Sequence, residues 1–519
     1  MTQKPNILLI VLDTLRRDRL SLYGHHRETS PELDTFASNA TVFERAVSTA
    51  QWTVPAHASL FTGLYASTHQ LVEADYQLSD RYHTLAEILH TEGYHTAGFC
   101  NNPLVGVLDN ALQRGFMDFY NYAGAAPNRP FQTQHQGVRR MLSQRWQDFA
   151  RVVSNQFAHR EWLFRLSLHP LLTPIWTRYV NYKGHTGHSV DDVIAYLGQH
   201  HAGNTGPDRK PLFTFLNLMG THLPYRPPQD ALDRIAPNLR GDRHAYRLMG
   251  AFNADAARWA SPAEPPISPE ESRVIADFYD AEIVAQDMHL GRLLRYLKTS
   301  GALEDTMVII TADHGEGHGD HDFFGHSFVV YQELVHVPLI VHFPERFPPG
   351  KRVSTNVSTR RVFHTVLESA GIQPKSNEED AINDIDRLSL ARATNCQPDS
   401  EGGVAFAEAF PPQTFLGVMR HRNPHLIDSL RLTQVRRGVY DGQHKLAVVD
   451  KQVEGLFDIA ADPAEISDVA QENPALVGDL QRKIDTFVED TQSQRRDAAV
   501  LGGISDDMAD HLRALGYLE

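Results

Sequence analysis

Short runs without a polar break punctuate the chain, and stretches with helical spacing lie between them. Ile7-Leu8-Leu9-Ile10-Val11-Leu12 is wholly apolar and ends in the carboxylate of Asp13. A run of that length without alternation predicts a strand buried on both faces, as in a parallel sheet. Residues 96–100, 211–218, 307–310 and 337–342 predict further strands of the same kind. Residues 85–93 and 359–371 space as helices. Residues 271–300 place Ile275, Phe278, Tyr279, Ile283, Leu290, Leu294 and Leu297 at helical intervals. This predicts a long helix lying on the sheet, with Asp287 as a surface or capping residue. Strands alternating with helices predict an α/β fold over residues 1–375, a mostly parallel sheet sandwiched by helices. Residues 374–397 are polar and read as a linker or long loop. Residues 403–409, 432–440 and 444–449 then read as short strands, and 474–491 as a helix.

The chemistry-bearing residues fall where these runs end. Trp52-Thr53-Val54-Pro55-Ala56-His57-Ala58-Ser59-Leu60-Phe61-Thr62-Gly63 passes from a loop into a helix. Pro55 suits the first turn, where its absent N–H costs nothing. Thr53 then falls at or just before the helix N-terminus, where free amides and the dipole favour an anion. Its hydroxyl has two readings there, an N-cap or a nucleophile. Asp13 likewise reads as a helix cap or a metal ligand. The 307–310 strand leads into Asp313-His314-Gly315-Glu316-Gly317-His318-Gly319-Asp320-His321 and then Gly325-His326-Ser327. Such a loop builds a poor core and presents ligands well, which points Asp313 and His314 at a metal. His318 and His321 are candidates for a second metal, or loop or substrate-side residues. His222 lies just past the 211–218 strand, at the end where parallel sheets bind ligands. Asn101 and Asn102 follow the 96–100 strand as turn residues or substrate contacts.

Composition narrows the class. The 519 residues carry a formal net charge of -15, which argues against a general nucleic-acid binder. Length allows one large core and a smaller second one. Cys100 and Cys396 stand far apart and supply neither a disulfide framework nor a zinc cluster, which suggests a reducing, cytoplasmic setting. The run 7–12 is too short to span a membrane and has no small-residue cleavage site behind it, so it reads as a strand and not a signal peptide. Residues 125–190 break the acidic trend: Arg139, Arg140, Arg145, Arg151, Arg160 and Arg165 are interleaved with Trp146, Phe149, Phe157, Trp162 and Phe164. This predicts a basic, aromatic helical insertion. It can lie on a membrane surface, pack in a homo-oligomer, cover an active site, or be a packed pair with a solvated face.

The stretch 52–63 resembles the active-site signature of the sulfatase family, in the alkaline phosphatase superfamily. That signature reads Cys-X-Pro-X-Arg and runs on to Leu-X-Thr-Gly. Pro55, Leu60, Thr62 and Gly63 fit it, Thr53 stands where the family has Cys, and His57 where it has Arg. Neither departure fits the family's formylglycine modification, so the resemblance implies an unmodified Thr53 nucleophile. The Asp313-His314 pair and the Thr-X-Pro-X-His form resemble phosphonate monoester hydrolases and phosphodiesterases. Residues 400–519 resemble the family's small C-terminal antiparallel subdomain with a terminal helix, and 512–518 its ending. The resemblance implies an alkaline phosphatase-like fold and one divalent ion held by Asp13, Asp313, His314 and Thr53. A mixed carboxylate and imidazole shell suits manganese or zinc. Thr53 attacks as an alkoxide, and His57, His222 or His326 donates a proton to the leaving oxygen, with His222 favoured by the resemblance. His326, Asn101 and Asn102 stand where the family places sulfate-gripping lysines. A Thr ester cannot release sulfate by the elimination open to a formylglycine hydrate. The expected activity is therefore hydrolysis of a small phosphodiester or phosphonate monoester. Alternatives are sulfate-ester hydrolysis, phospho-group transfer, and a non-catalytic binding relative.

Overall fold

The computed structural model describes residues 4–123, 127–130, 183–203, 210–255, 262, 267–372, 385–497 and 500–501. Its main sheet has eight strands: β1 (Asn6–Leu12), β2 (Thr41–Val47), β3 (His95–Cys100), β4 (Asp118–Asn121), β5 (Leu212–Leu218), β6 (Thr306–Thr311), β7 (His336–His342) and β8 (Arg352–Ser358). They lie in the order β8-β2-β7-β6-β1-β5-β3-β4. Within this sheet β7 runs against both neighbours and every other pair is parallel. β1 is central, between β5 and β6, and Ile7–Leu12 are at most 2% exposed. An unbroken apolar run can be accommodated only in such a place, covered on both faces.

Helices cover the sheet: α1 (Thr53–Thr62), α2 (Leu85–Thr91), α3 (Thr186–Gly203), α4 (Pro269–Thr299) and α5 (Arg361–Ser369). α4 opens with a capping box, Ser268 and Glu271, and Pro269 in its first turn. Its inner face buries Ile275, Phe278, Tyr279, Ile283, Leu290 and Leu294. Asp287 is not a surface residue of this helix. It is buried, and its carboxylate accepts the N–H groups of Glu32 and Leu33, both at 2.9 Å. It thus caps the neighbouring helix Pro31–Ala37, and burial pushes its pKa up to about 7.

The polar stretch 374–397 is only partly a linker. Ile385–Leu388 and Leu390–Thr394 are helical, and Ile385, Leu388 and Leu390 are buried. A second sheet follows, β9 (Val404–Ala409), β10 (Arg436–Asp441), β11 (His444–Val449) and β12 (Gln452–Asp458), antiparallel and in sequence order. α6 (Pro474–Ser493) packs Leu480 and Ile484 against its Val439, Leu446 and Leu456. The strand expected over 432–440 starts only at Arg436. Most of the basic insertion, residues 131–182, and the ending 512–518 lie outside the described residues. No described helix is long and apolar enough to cross a membrane.

Candidate active site

β1 and β6 pair in parallel with Val11 opposite Thr311. Two residues further on, Asp13 and Asp313 emerge side by side at the carboxyl edge of the sheet, where such sheets bind ligands. His314 comes next. One ligand atom from each of Asp13, Asp313 and His314 lies within 4.8 Å of the others, and all three residues are buried. Asp313 Oδ1 accepts the N–H of His314 at 2.9 Å and of Thr14 at 3.3 Å, while Oδ2 has no hydrogen-bond partner. Asp13 Oδ2 accepts the amides of Asn102 at 2.6 Å and Asn217 at 3.4 Å, while Oδ1 has none. His314 donates Nδ1–H to Gly315 O at 2.8 Å, which leaves the lone pair of Nε2 available. Burial, and then the neighbouring Asp13, push the Asp313 pKa far up. Two orphaned carboxylate oxygens and an imidazole lone pair converging in a dry place fit a divalent cation.

Thr53 opens α1. The N-cap position belongs to Trp52, whose side chain makes no capping bond, so the Thr53 hydroxyl is not spent as a cap. Its Oγ1 lies 3.3 Å from His314 Nε2 and accepts from Asn102 Nδ2 at 3.4 Å. α1 ends at Gly63 in the left-handed conformation (φ 70), and a Cβ there would stand 2.6 Å from Phe363. A glycine therefore lets α1 sit tightly on α5.

His57 stands one turn behind Thr53. It donates Nδ1–H to Thr53 O at 2.9 Å, and its Nε2 accepts from Asn217 at 3.4 Å. Its ring packs edge-on against Phe61 and Phe215, and burial lowers its pKa. An imidazole bonded this way holds the Thr53 backbone one turn behind the hydroxyl.

Of the two asparagines, only Asn102 enters the site. Asn101 is turned away: its amide donates to Lys183 O at 2.9 Å and its oxygen accepts from Ser189 at 2.6 Å. It ties down the approach to α3, and its reading as a substrate contact is corrected. His222 donates Nδ1–H to Leu223 O at 2.7 Å, and its ring lies 5.4 Å from that of His326. The His326 ring lies 4.5 Å from that of His314, and its Nδ1 bonds Glu316 Oε1 at 2.8 Å. His318 and His321 do not come together for a second metal. His318 meets Tyr225 Oη at 2.8 Å, and His321 meets Glu333 at 3.1 Å.

Sequence reasoning does not single out Asn217 or Glu316. Both carry a signal: Asn217 is an amide in a mostly apolar strand, one residue before its end, and Glu316 is a buried acid ten residues before His326.

An α/β sheet with a buried Asp-Asp-His group and a helix-borne hydroxyl at its carboxyl edge describes a metal-dependent esterase. The sequence profile of the Sulfatase family matches residues 5–372, and the chain belongs to that family. An arylsulfatase of Clostridium perfringens is 24% identical over 404 residues, 72% of this chain and 74% of that protein. The multifunctional alkaline phosphatase superfamily protein PehA of Trinickia caryophylli is 26% identical over 521 residues, covering 93% and 95%. Among solved structures, the phosphonate monoester hydrolase of Agrobacterium radiobacter matches with a TM-score of 0.64 at 20% identity, covering 94% of this chain and 96% of that one. The last likeness establishes the fold. Together these findings make the chain a hydrolase of sulfuric or phosphoric esters within a metal-dependent family.

Proposed function

We propose that the chain hydrolyses phosphodiesters or phosphonate monoesters, with Thr53 as an unmodified nucleophile. The observation that carries this is Thr53 Oγ1 itself, free of capping duty, 3.3 Å from His314 Nε2 and held by Asn102. Asp13, Asp313, His314 and Thr53 would hold the divalent ion, manganese or zinc by their donor set. When bound it lowers the pKa of the hydroxyl and offsets charge on the transferring group.

The residues of the chain do the rest. His57 and Asn102 orient Thr53. Its Oγ1 forms a bond to phosphorus as the bond to the leaving oxygen breaks. His222 and His326, adjacent to each other and to His314, are where the leaving oxygen finds a proton. Water then attacks the phosphothreonine at phosphorus, releases the product and restores the hydroxyl. The positions of the two family lysines hold Asn102 and His326, which weakens the grip on a terminal dianion and suits a monoanionic ester. Sulfate-ester hydrolysis is the second reading, favoured by the arylsulfatase relative.

The test is a side-by-side turnover assay on aryl phosphate, phosphodiester, phosphonate monoester and sulfate substrates, with Thr53→Ala as control. Highest turnover on diesters or phosphonates, lost in the variant, supports the reading. A clear preference for sulfate overturns it.

A further inference from the structure

The turns that carry Asp13 and Asp313-His314 bring two carboxylates together, and like charges push such turns apart. Their separation must be set by other groups. Behind them lies Arg16, 4% exposed and bonded to both turns.

On the first turn, the Arg16 backbone N–H donates to Tyr279 Oη at 2.8 Å, and the Tyr279 hydroxyl donates to Thr14 O at 2.7 Å. A single hydroxyl from α4 thus satisfies two backbone groups just after Asp13. Thr14 is left-handed (φ 56), an unfavourable conformation for a β-branched residue. Held there, it aims its N–H at Asp313 Oδ1, 3.3 Å away.

The guanidinium then crosses to the second turn. Nη1 donates to Glu316 O at 3.1 Å and Asp320 Oδ2 at 2.7 Å. Nη2 donates to Asp320 Oδ1 at 3.3 Å and Asp18 Oδ2 at 2.8 Å, and Nε to Asp18 Oδ1 at 2.9 Å. All five N–H groups of the fork find acceptors. The Arg16 stem also packs on the residue after His314: a Cβ on Gly315 would stand 3.3 Å from Arg16 Cγ and would clash with Glu333 O. The ligand-bearing turn is gripped between the two.

We propose that Arg16 is a positioning residue for the metal group, bracing the Asp13 turn against the His314–Glu316 turn so that the ligand atoms keep their spacing. The inference rests on the metal reading given under the proposed function. A lysine cannot replace this fork, because it offers three donors from one point and no plane.

The test is manganese binding to the metal-free full chain by calorimetry, beside the thermal midpoint of each variant. Arg16→Lys should weaken binding about 10–100-fold, the usual cost of disturbing residues that orient ligands. Asp320→Asn keeps the shape and removes one charge from the fork, and should weaken binding several-fold. Arg361→Lys alters a buried arginine remote from the ligands, and should lower the midpoint without changing manganese affinity. Wild-type affinity in Arg16→Lys overturns the brace, as does an equal loss in Arg361→Lys. If Arg16→Lys does not fold, unchanged affinity in Asp320→Asn overturns it. A wild-type chain that binds neither manganese nor zinc overturns the metal reading itself, a result separate from failure of the brace alone.

Discussion

Two buried charge clusters in this molecule are built in opposite ways. One joins Arg360, Arg361, Asp399 and Glu401. Arg360 meets Glu401 at 2.7 Å, and Arg361 meets Asp399 at 2.9 Å and Glu401 at 3.6 Å. Arg361 also donates to Leu388 O at 2.8 Å and Ser389 O at 2.9 Å. Its charges cancel within the protein. The other cluster sets Asp13 beside Asp313 with only imidazoles near. His57 and His314 stand 3.5 Å and 3.4 Å from Asp313 Oδ2, yet burial lowers the pKa of both and keeps them neutral, so neither contact is an ion pair. A balanced cluster holds elements together. An unbalanced one, with two adjacent acids and no ion-pairing arginine or lysine among the described residues, is suited to receive a cation.

The contrast can be broken or sharpened by experiment, and the largest effect belongs to the unbalanced cluster. Thr53→Ala should cut kcat at least about a thousandfold while leaving the thermal midpoint near that of the wild type. Retained turnover would remove Thr53 from the chemistry. Arg361→Leu should do the reverse. It strands Asp399 and costs about 3–5 kcal/mol in denaturant unfolding, with kcat per folded molecule unchanged. Manganese or zinc at about a hundred times its Kd should stabilise the chain by about 2.7 kcal/mol, and a chelator should reverse this. Asp313→Asn should abolish that response and make the metal-free protein more stable by about 1–2 kcal/mol, because it removes one of two repelling acids. A destabilised metal-free variant would mean that the two acids are not in conflict.

A separate effect, spread over pH, concerns a third kind of buried acid. Among the described residues the Glu73 carboxylate has no cation beside it and accepts the Gln413 N–H at 3.0 and 3.2 Å, and burial pushes its pKa up to about 8. A carboxyl whose folded pKa is raised contributes stability that is full below its unfolded value of 4.5 and is lost as pH rises to about 8. Glu73→Gln should remove a slope of at most about 1.4 kcal/mol per pH unit from stability measured between pH 6 and 8.

The parts of the fold legible in the sequence are those whose side chains face one kind of surroundings. β1, β5 and β6 are mostly apolar because both faces are covered. β8 mixes exposed and buried positions, and β2 carries Glu44 and Arg45 in its middle, so neither shows an unbroken run. Asp13, Thr53, Asp313, His314 and Asn102 stand out because each follows a strand end or opens a helix. Asn101 has the same local signal as Asn102. Which of the two turns inward is decided by Lys183 and Ser189, some eighty residues away in sequence. Asp287 misleads for the same reason, since the amides it caps belong to another helix.

The placement of β1 also bears on how the chain is made. It precedes the other seven strands of its sheet in sequence, and it ends in the middle of that sheet, between β5 and β6. Its partner β6 closes at Thr311. At about 5–20 residues per second, the apolar strand waits roughly 15–60 s before both neighbours exist. During that interval Ile7–Leu12 is an apolar segment without its sheet partners. Asp13 meanwhile has no Asp313 beside it, so a nascent chain cannot capture an ion with half a site. The group of Asp13, Asp313 and His314 is assembled only once the sheet has closed.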